Sequence, residues 1–232
     1  MVKVIGLIGG IAPPSTIEYY LKLIAGFQDK GRTRHFPSIL INSIDMTRML
    51  ELVAVEQYDA LVDYLSSEIQ KLKQGGAEVG ALASNTPHIV FDRLKERSSL
   101  PLVSIVEAAA VYACKQQCRK LGLFGTKSTM QSRFYQDVFS RQGIQVVTPP
   151  SESQDYIHEK YMNELVNGIF LEETKKNMLE IANRMRDENG IEGLVLGGTE
   201  LPFILKDSDF QNFEVLNTTE IHVRSILDYA MN

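Results

Sequence analysis

Strand-like apolar runs recur in the same order in the two halves of this 232-residue chain, which restricts the fold more than any single motif. The first half carries them at 3–10, 38–44, 79–83 and 100–105, the second at 120–125, 144–147, 193–197 and 214–216. Matched runs start 106 to 117 residues apart, the mark of a duplicated half rather than a solenoid array. Helical patterns separate them. One example is 57–73, where Leu61, Tyr64, Leu65, Ile69 and Leu72 recur at helical spacing before the stop at Gly75-Gly76. Alternating strand and helix imply parallel sheets joined by right-handed crossovers. The expectation is an α/β fold of two pseudo-symmetric lobes, each a four-stranded parallel sheet flanked by helices, with an active-site cleft between them. The lobes are expected at 1–105 plus 217–232 and at 106–216, with 106–119 as the helical link and 218–231 as a helix returning to the first lobe.

Two segments stand where such a fold places ligands, at the turn after the carboxyl end of a strand. One runs from Ala81 through Ser84-Asn85-Thr86-Pro87-His88, the other from Leu194 through Gly197-Gly198-Thr199-Glu200 to Pro202. Pro87 and Pro202 suit first helical positions, where proline loses no hydrogen bond. Asn85, Thr86 and Thr199 combine short polar side chains with the amides of a helix start, a setting suited to a carboxylate. His88 titrates near neutral pH and suits proton transfer, or else bonds backbone at a helix start. Glu200, if partly buried, has the pKa of a general base, or else caps the next helix. Arg48 can grip a carboxylate through both guanidinium nitrogens, or else is simply solvated. Ser15 with Glu18 and Ser128 with Gln131 read as capping boxes.

Composition narrows the partners. With 44% hydrophobic and 23% charged residues the chain is that of a soluble globular protein. A net charge of −5 without a basic cluster argues against nucleic acid or an anionic membrane surface. No apolar stretch reaches a membrane span, and the glycine-rich start reads as a core strand rather than a secretory signal. Cys114 and Cys118 build no disulfide framework and, spaced i,i+4, read as core thiols; the expected compartment is the cytoplasm. His35, His88, His158 and His222 show no metal-ligand spacing. Gly122 to Ser128 lacks the phosphate-loop order, and Gly6-x-x-Gly9-Gly10 is not the dinucleotide fingerprint. Neither a metal nor an organic cofactor is therefore expected.

Those two turns, with the opening Ile5-Gly6-Leu7-Ile8-Gly9-Gly10-Ile11-Ala12-Pro13, resemble the aspartate/glutamate racemase family of cofactor-independent amino-acid racemases. The family's turns read Cys-Asn-Thr-x-His and Gly-Cys-Thr-Glu. Asn42 and Arg48 lie where some members carry a strand-end Asn and a substrate-binding Arg. The resemblance implies transfer of a Cα proton on a small amino acid such as aspartate or glutamate, and a homodimer, as the family often forms. It implies that Asn85, Thr86 and Thr199 hold the α-groups of the amino acid. The departure is at the two catalytic cysteines, which are Ser84 and Gly198 here. A thiol near pKa 8.5 can be lowered into a base at neutral pH, whereas a serine hydroxyl can only return or relay a proton. Gly198 offers nothing, and the lysine that some members turn to a distal carboxylate has Val166 as its nearest counterpart.

Two readings follow. In the first, the chain is an isomerase with Ser84, Glu200 and His88 as catalytic groups and Asn85, Thr86, Thr199, Arg48, Gly198 and Asn42 binding substrate. In the second, it is a catalytically altered member that binds a small carboxylate as a sensor or regulatory protein. A different α-carbon reaction is a weaker third reading, and Asp45 and Glu107 are further candidates for the missing base.

Overall fold

In this computed structural model, which describes residues 2–30 and 36–232, the first four strands are Ile5–Gly9 (β1), Ile39–Ser43 (β2), Val79–Leu82 (β3) and Leu102–Val103 (β4). They form one parallel sheet ordered β2-β1-β3-β4, with Ile8 opposite both Asn42 and Leu82. Helices Pro13–Asp29 (α1), Met46–Ala54 (α2), Tyr58–Gln74 (α3) and Phe91–Arg97 (α4) alternate with the strands. β1 is buried throughout because both faces of its sheet are covered, which is why it reads as a continuous apolar run. Its pleat splits the core: Ile5 and Leu7 pack with Tyr19, Leu23 and Phe27 of α1, while Ile8 packs with Leu61, Leu65 and Ile69 of α3. Each such side chain, fully buried, contributes roughly 1.5–3 kcal/mol.

The second set of strands repeats that order. Lys120–Gly125 (β5), Gln145–Val147 (β6), Gly193–Gly197 (β7) and Glu214–Asn217 (β8) form a parallel sheet ordered β6-β5-β7-β8. Its helices are Ile105–Lys115 (α5), Lys127–Gln131 (α6), Phe134–Ser140 (α7), Ser151–Asn163 (α8), Glu172–Asn189 (α9) and Leu201–Ile204 (α10). Phe124, Leu194 and Leu196 of the sheet pack with Ile157 and Tyr161 of α8 and with Met178, Ile181 and Met185 of α9.

The last helix, Thr218–Met231 (α11), adds Val223, Ile226 and Leu227 to the core under β1, and Ala230 O accepts the Lys3 amide at 2.9 Å. The chain divides into two compact units, Met1–Ile105 with Thr219–Asn232, and Val106–Thr218. No helix among the described residues is long and apolar enough to cross a membrane.

Four local expectations are corrected. Helix α1 begins at Pro13, two residues before Ser15, because proline is pre-set for a first turn; Ala12 precedes it without a side-chain cap. The Thr16 hydroxyl instead accepts the Gly10 amide at 2.8 Å. Likewise Thr126, not Ser128, caps α6, accepting the Thr129 amide at 3.3 Å. Of the two cysteines only Cys118 is buried, and Cys114 is exposed on α5. The fourth strand is also shorter than its apolar run: it pairs only through Gly80 with Leu102 and Ala81 with Val103.

Candidate active site

In the first unit the parallel register brings three turns to one edge of the sheet, after β2, β1 and β3. The middle turn is Gly10, held at φ +84° in a conformation that favours glycine; a Cβ there would meet the Ile44 carbonyl oxygen at 2.5 Å. Beside it, β3 ends and Ser84, Asn85 and Thr86 follow, all buried. The segment then enters a 3-10 turn, Thr86–Val90, with Pro87 in its first positions and the His88 amide bonded to Asn85 O at 2.9 Å. The helix start expected after Ser84 is thus a 3-10 turn leading into α4.

His88 faces inward. Its ring stacks on Phe91, with centroids 4.9 Å apart and planes at 9°, and its Nε2 accepts the Ile105 amide at 3.2 Å. That acceptor role places the proton of the neutral ring on Nδ1. Burial, then the neighbouring His222, lowers its pKa from 6.5 to about 3, against a smaller opposing pull from backbone at Ser84 and Asn85. At neutral pH this imidazole is uncharged and occupied in joining the Ser84 turn to the start of α5.

At the end of β2, the half-buried Asn42 donates through Nδ2 to Glu68 Oε2 at 2.7 Å and to Glu68 O at 3.1 Å. Burial pushes the Glu68 carboxyl up, but hydrogen bonds from Lys71 and Asn42 and the Lys71 and Arg48 charges outweigh it. The result is a pKa below the usual carboxylate range. Arg48 is exposed on α2 with its guanidinium carbon 4.5 Å from the Tyr64 ring centre. Asp45 caps α2, its Oδ1 accepting the amides of Thr47 at 2.9 Å and Arg48 at 3.3 Å. Asn42, Asp45 and Arg48 therefore form one group at the β2 edge; Glu107 sits in the first turn of α5.

In the second unit, β7 ends in Gly198, Thr199 and Glu200, and α10 follows with Pro202 in its first positions. Thr199 and Glu200 are each only 2% exposed. The Thr199 hydroxyl donates to Glu200 Oε2 at 2.9 Å, and the Tyr161 hydroxyl donates to the same oxygen. Burial, then the Glu200 charge and the hydrogen bond to it, push the Tyr161 phenol well above its ordinary pKa. Glu200 makes no side-chain cap bond to α10; its carboxylate is an acceptor for two buried hydroxyls.

Tyr161 was not among the residues the sequence singles out. It sits on the buried face of α8 with Gln154 and Ile157, a spacing that reads as core packing. Glu68 escapes notice for the same reason, and Tyr64 reads in the sequence only as one of the apolar positions of α3. Val166 packs against the apolar core of the second unit and carries no charge to a substrate. His35 lies outside the described residues. Among the described residues, no group of three or more His, Cys, Asp or Glu side chains lies together as a metal site would require.

In each unit a four-stranded parallel sheet thus has buried hydroxyl, amide or carboxylate side chains just past a strand end. The family model for Asp/Glu/Hydantoin racemase matches residues 8–226, and the chain belongs to that family. It is 34% identical to an aspartate racemase homologue from Pyrococcus horikoshii OT3, with a TM-score of 0.86 over 99% of this chain and 100% of that one. It is 25% identical over 172 residues to the broad specificity amino-acid racemase RacX of Bacillus subtilis (strain 168), covering 71% of this chain and 68% of the relative. Aspartate racemase from Picrophilus torridus, at 22% identity, shares the fold, with a TM-score of 0.79 over 99% of this chain and 94% of that one.

Proposed function

We propose that this chain is a cofactor-independent isomerase that moves the Cα proton of a small amino acid, with aspartate or glutamate as the first candidates. The observation that carries the reading is the buried polar equipment at the two matched turns of a racemase-family chain. Ser84, Asn85, Thr86, Thr199 and Glu200 are all buried polar groups gathered just past the carboxyl ends of strands, where open parallel sheets bind their ligands. Asn85, Thr86 and Thr199 hold the α-carboxylate and α-amino groups. Ser84 returns or relays a proton, and Glu200 is the carboxylate base that takes over from a thiol. His88, neutral and bonded to Ile105, positions the Ser84 turn rather than carrying the proton. Arg48 and Asn42 read the side chain of the substrate, and Gly198 leaves the second turn without a side chain of its own.

The test is exchange of the α-proton in heavy water, followed by NMR across the common L- and D-amino acids. Ser84→Ala and Glu200→Gln are each expected to lose about 100-fold or more in exchange, the usual contribution of a positioned acid or base. Both variants should still be stabilised by the substrate they bind. Full turnover in both variants would overturn the assignment. Ligand-induced stabilisation of the wild type with no exchange at all would favour the sensor or regulatory reading.

A further inference from the structure

The side chain that residue 198 lacks has its place filled from α8. A Cβ built on Gly198 would lie 2.4 Å from Tyr161 Cε2, 2.8 Å from the phenol oxygen and 2.9 Å from Cζ. Real Cβ atoms do not approach ring atoms so closely, so a side chain at 198 and this tyrosine ring cannot coexist without one of them shifting. A side chain at this position, such as the cysteine of the turn Gly-Cys-Thr-Glu, would start into that volume; here the Tyr161 hydroxyl stands in it. The hydroxyl is bonded to the carboxylate of Glu200, which also accepts from Thr199. Tyr161 is 6% exposed, so the pair is shielded from bulk water.

We infer that Tyr161 is the proton-transfer group of the second turn, working as a dyad with Glu200 in the space vacated by the second cysteine. The inference rests on the racemase reading above and deepens it. A neutral phenol alone is a poor base, and burial makes its phenolate scarcer still. Paired with a carboxylate it need never become a free phenolate. When Cα is deprotonated, the C–H electron pair stays on carbon and spreads into the α-carboxylate. The proton lands on the phenol oxygen while the phenol's own proton crosses to Glu200 Oε2. The dyad thereby passes from phenol and carboxylate to phenol and carboxylic acid, one proton gained. The reverse sequence delivers a proton to the carbanion and restores the pair. Charge and protons balance with no other reactant.

The decisive variant is Tyr161→Phe, which keeps the ring beside Gly198 and removes only the hydroxyl. Wild type and variant are compared for α-proton exchange in heavy water on the best wild-type substrate, and for substrate-induced shift in melting temperature. The expected result is a fall of about 100-fold or more in exchange with the melting shift retained. Exchange within a few-fold of wild type overturns the dyad and leaves the family reading standing. Silence of the wild type with every amino acid overturns both. Should Tyr161→Phe fail to fold, fluorotyrosine placed at 161 keeps the shape and lowers the phenol pKa. A displaced pH profile of kcat then supports the dyad, and an unmoved one overturns it, since a purely structural tyrosine would leave the profile where it was.

Discussion

Tyr19 and His222, 203 residues apart, share a hydrogen bond of 2.8 Å between the phenol oxygen and the imidazole Nδ1. The other ring nitrogen of His222 meets the Val103 carbonyl oxygen at 2.9 Å, so one imidazole ties α1, β4 and α11 together inside the first unit. Both contacts lie in a fully buried setting, and burial lowers the pKa of His222 from 6.5 to about 4, with the Val103 bond opposing it.

Acid stability should follow from this ring and from His88. Both folded pKa values lie below the ordinary 6.5, so the unfolded chain takes up protons first as pH falls. The stability is complete above about pH 6.5 and declines through the window down to about pH 4 for His222, and further to about pH 3 for His88. For His222 the shift corresponds to roughly 3 kcal/mol. Urea unfolding at pH 7, 6, 5 and 4 should show the decline, and His222→Gln should flatten it. A wild-type curve flat across that range would contradict the burial of both rings.

Gly198→Ala should destabilise the protein by about 1–3 kcal/mol, since the added methyl collides with the Tyr161 ring. In a Tyr161→Ala background the same substitution should cost little, because the obstructing atoms are gone. The double-mutant cycle is expected to show coupling within the range of about 0.5–3 kcal/mol found for residues in contact. Additive effects in thermal or urea unfolding would place the ring elsewhere.

Asp45→Ala removes the acceptor for the Thr47 and Arg48 amides in the first turn of α2 and should cost about 1 kcal/mol, typical of an N-cap. Because Asp45 is spent on the helix, exchange of the α-proton should fall far less than in Glu200→Gln. A loss equal to that of Glu200→Gln would make Asp45 a base after all.

A thiol reagent should separate the two cysteines. Cys114 is exposed, whereas Cys118 is buried and its thiol is raised by burial and then by the charges of Glu214 and Glu192. One thiol per chain should react quickly in the native protein, and the second only on unfolding. Rapid reaction of both would mean that the end of α5 opens readily.

The eight strands, their alternation with helices and the two matched turns were legible in the sequence, because a strand or helix signals itself by the spacing of apolar residues a few positions apart. Residue 5 and residue 7 declare a buried strand whatever lies elsewhere in the chain. The family turns were legible for the same reason, being contiguous. What each turn can do was not legible. The hydroxyl that reaches Glu200 comes from a residue 39 positions earlier, on a helix face that reads as ordinary core. His88 has the right residue type for proton transfer, yet its neutrality at pH 7 comes from burial, Phe91 and the Ile105 amide. Space and pKa belong to the whole set of neighbours around a group. Those neighbours are chosen by packing, so only the tertiary structure decided why residue 198 has room for no side chain and which hydroxyl stands beside Glu200.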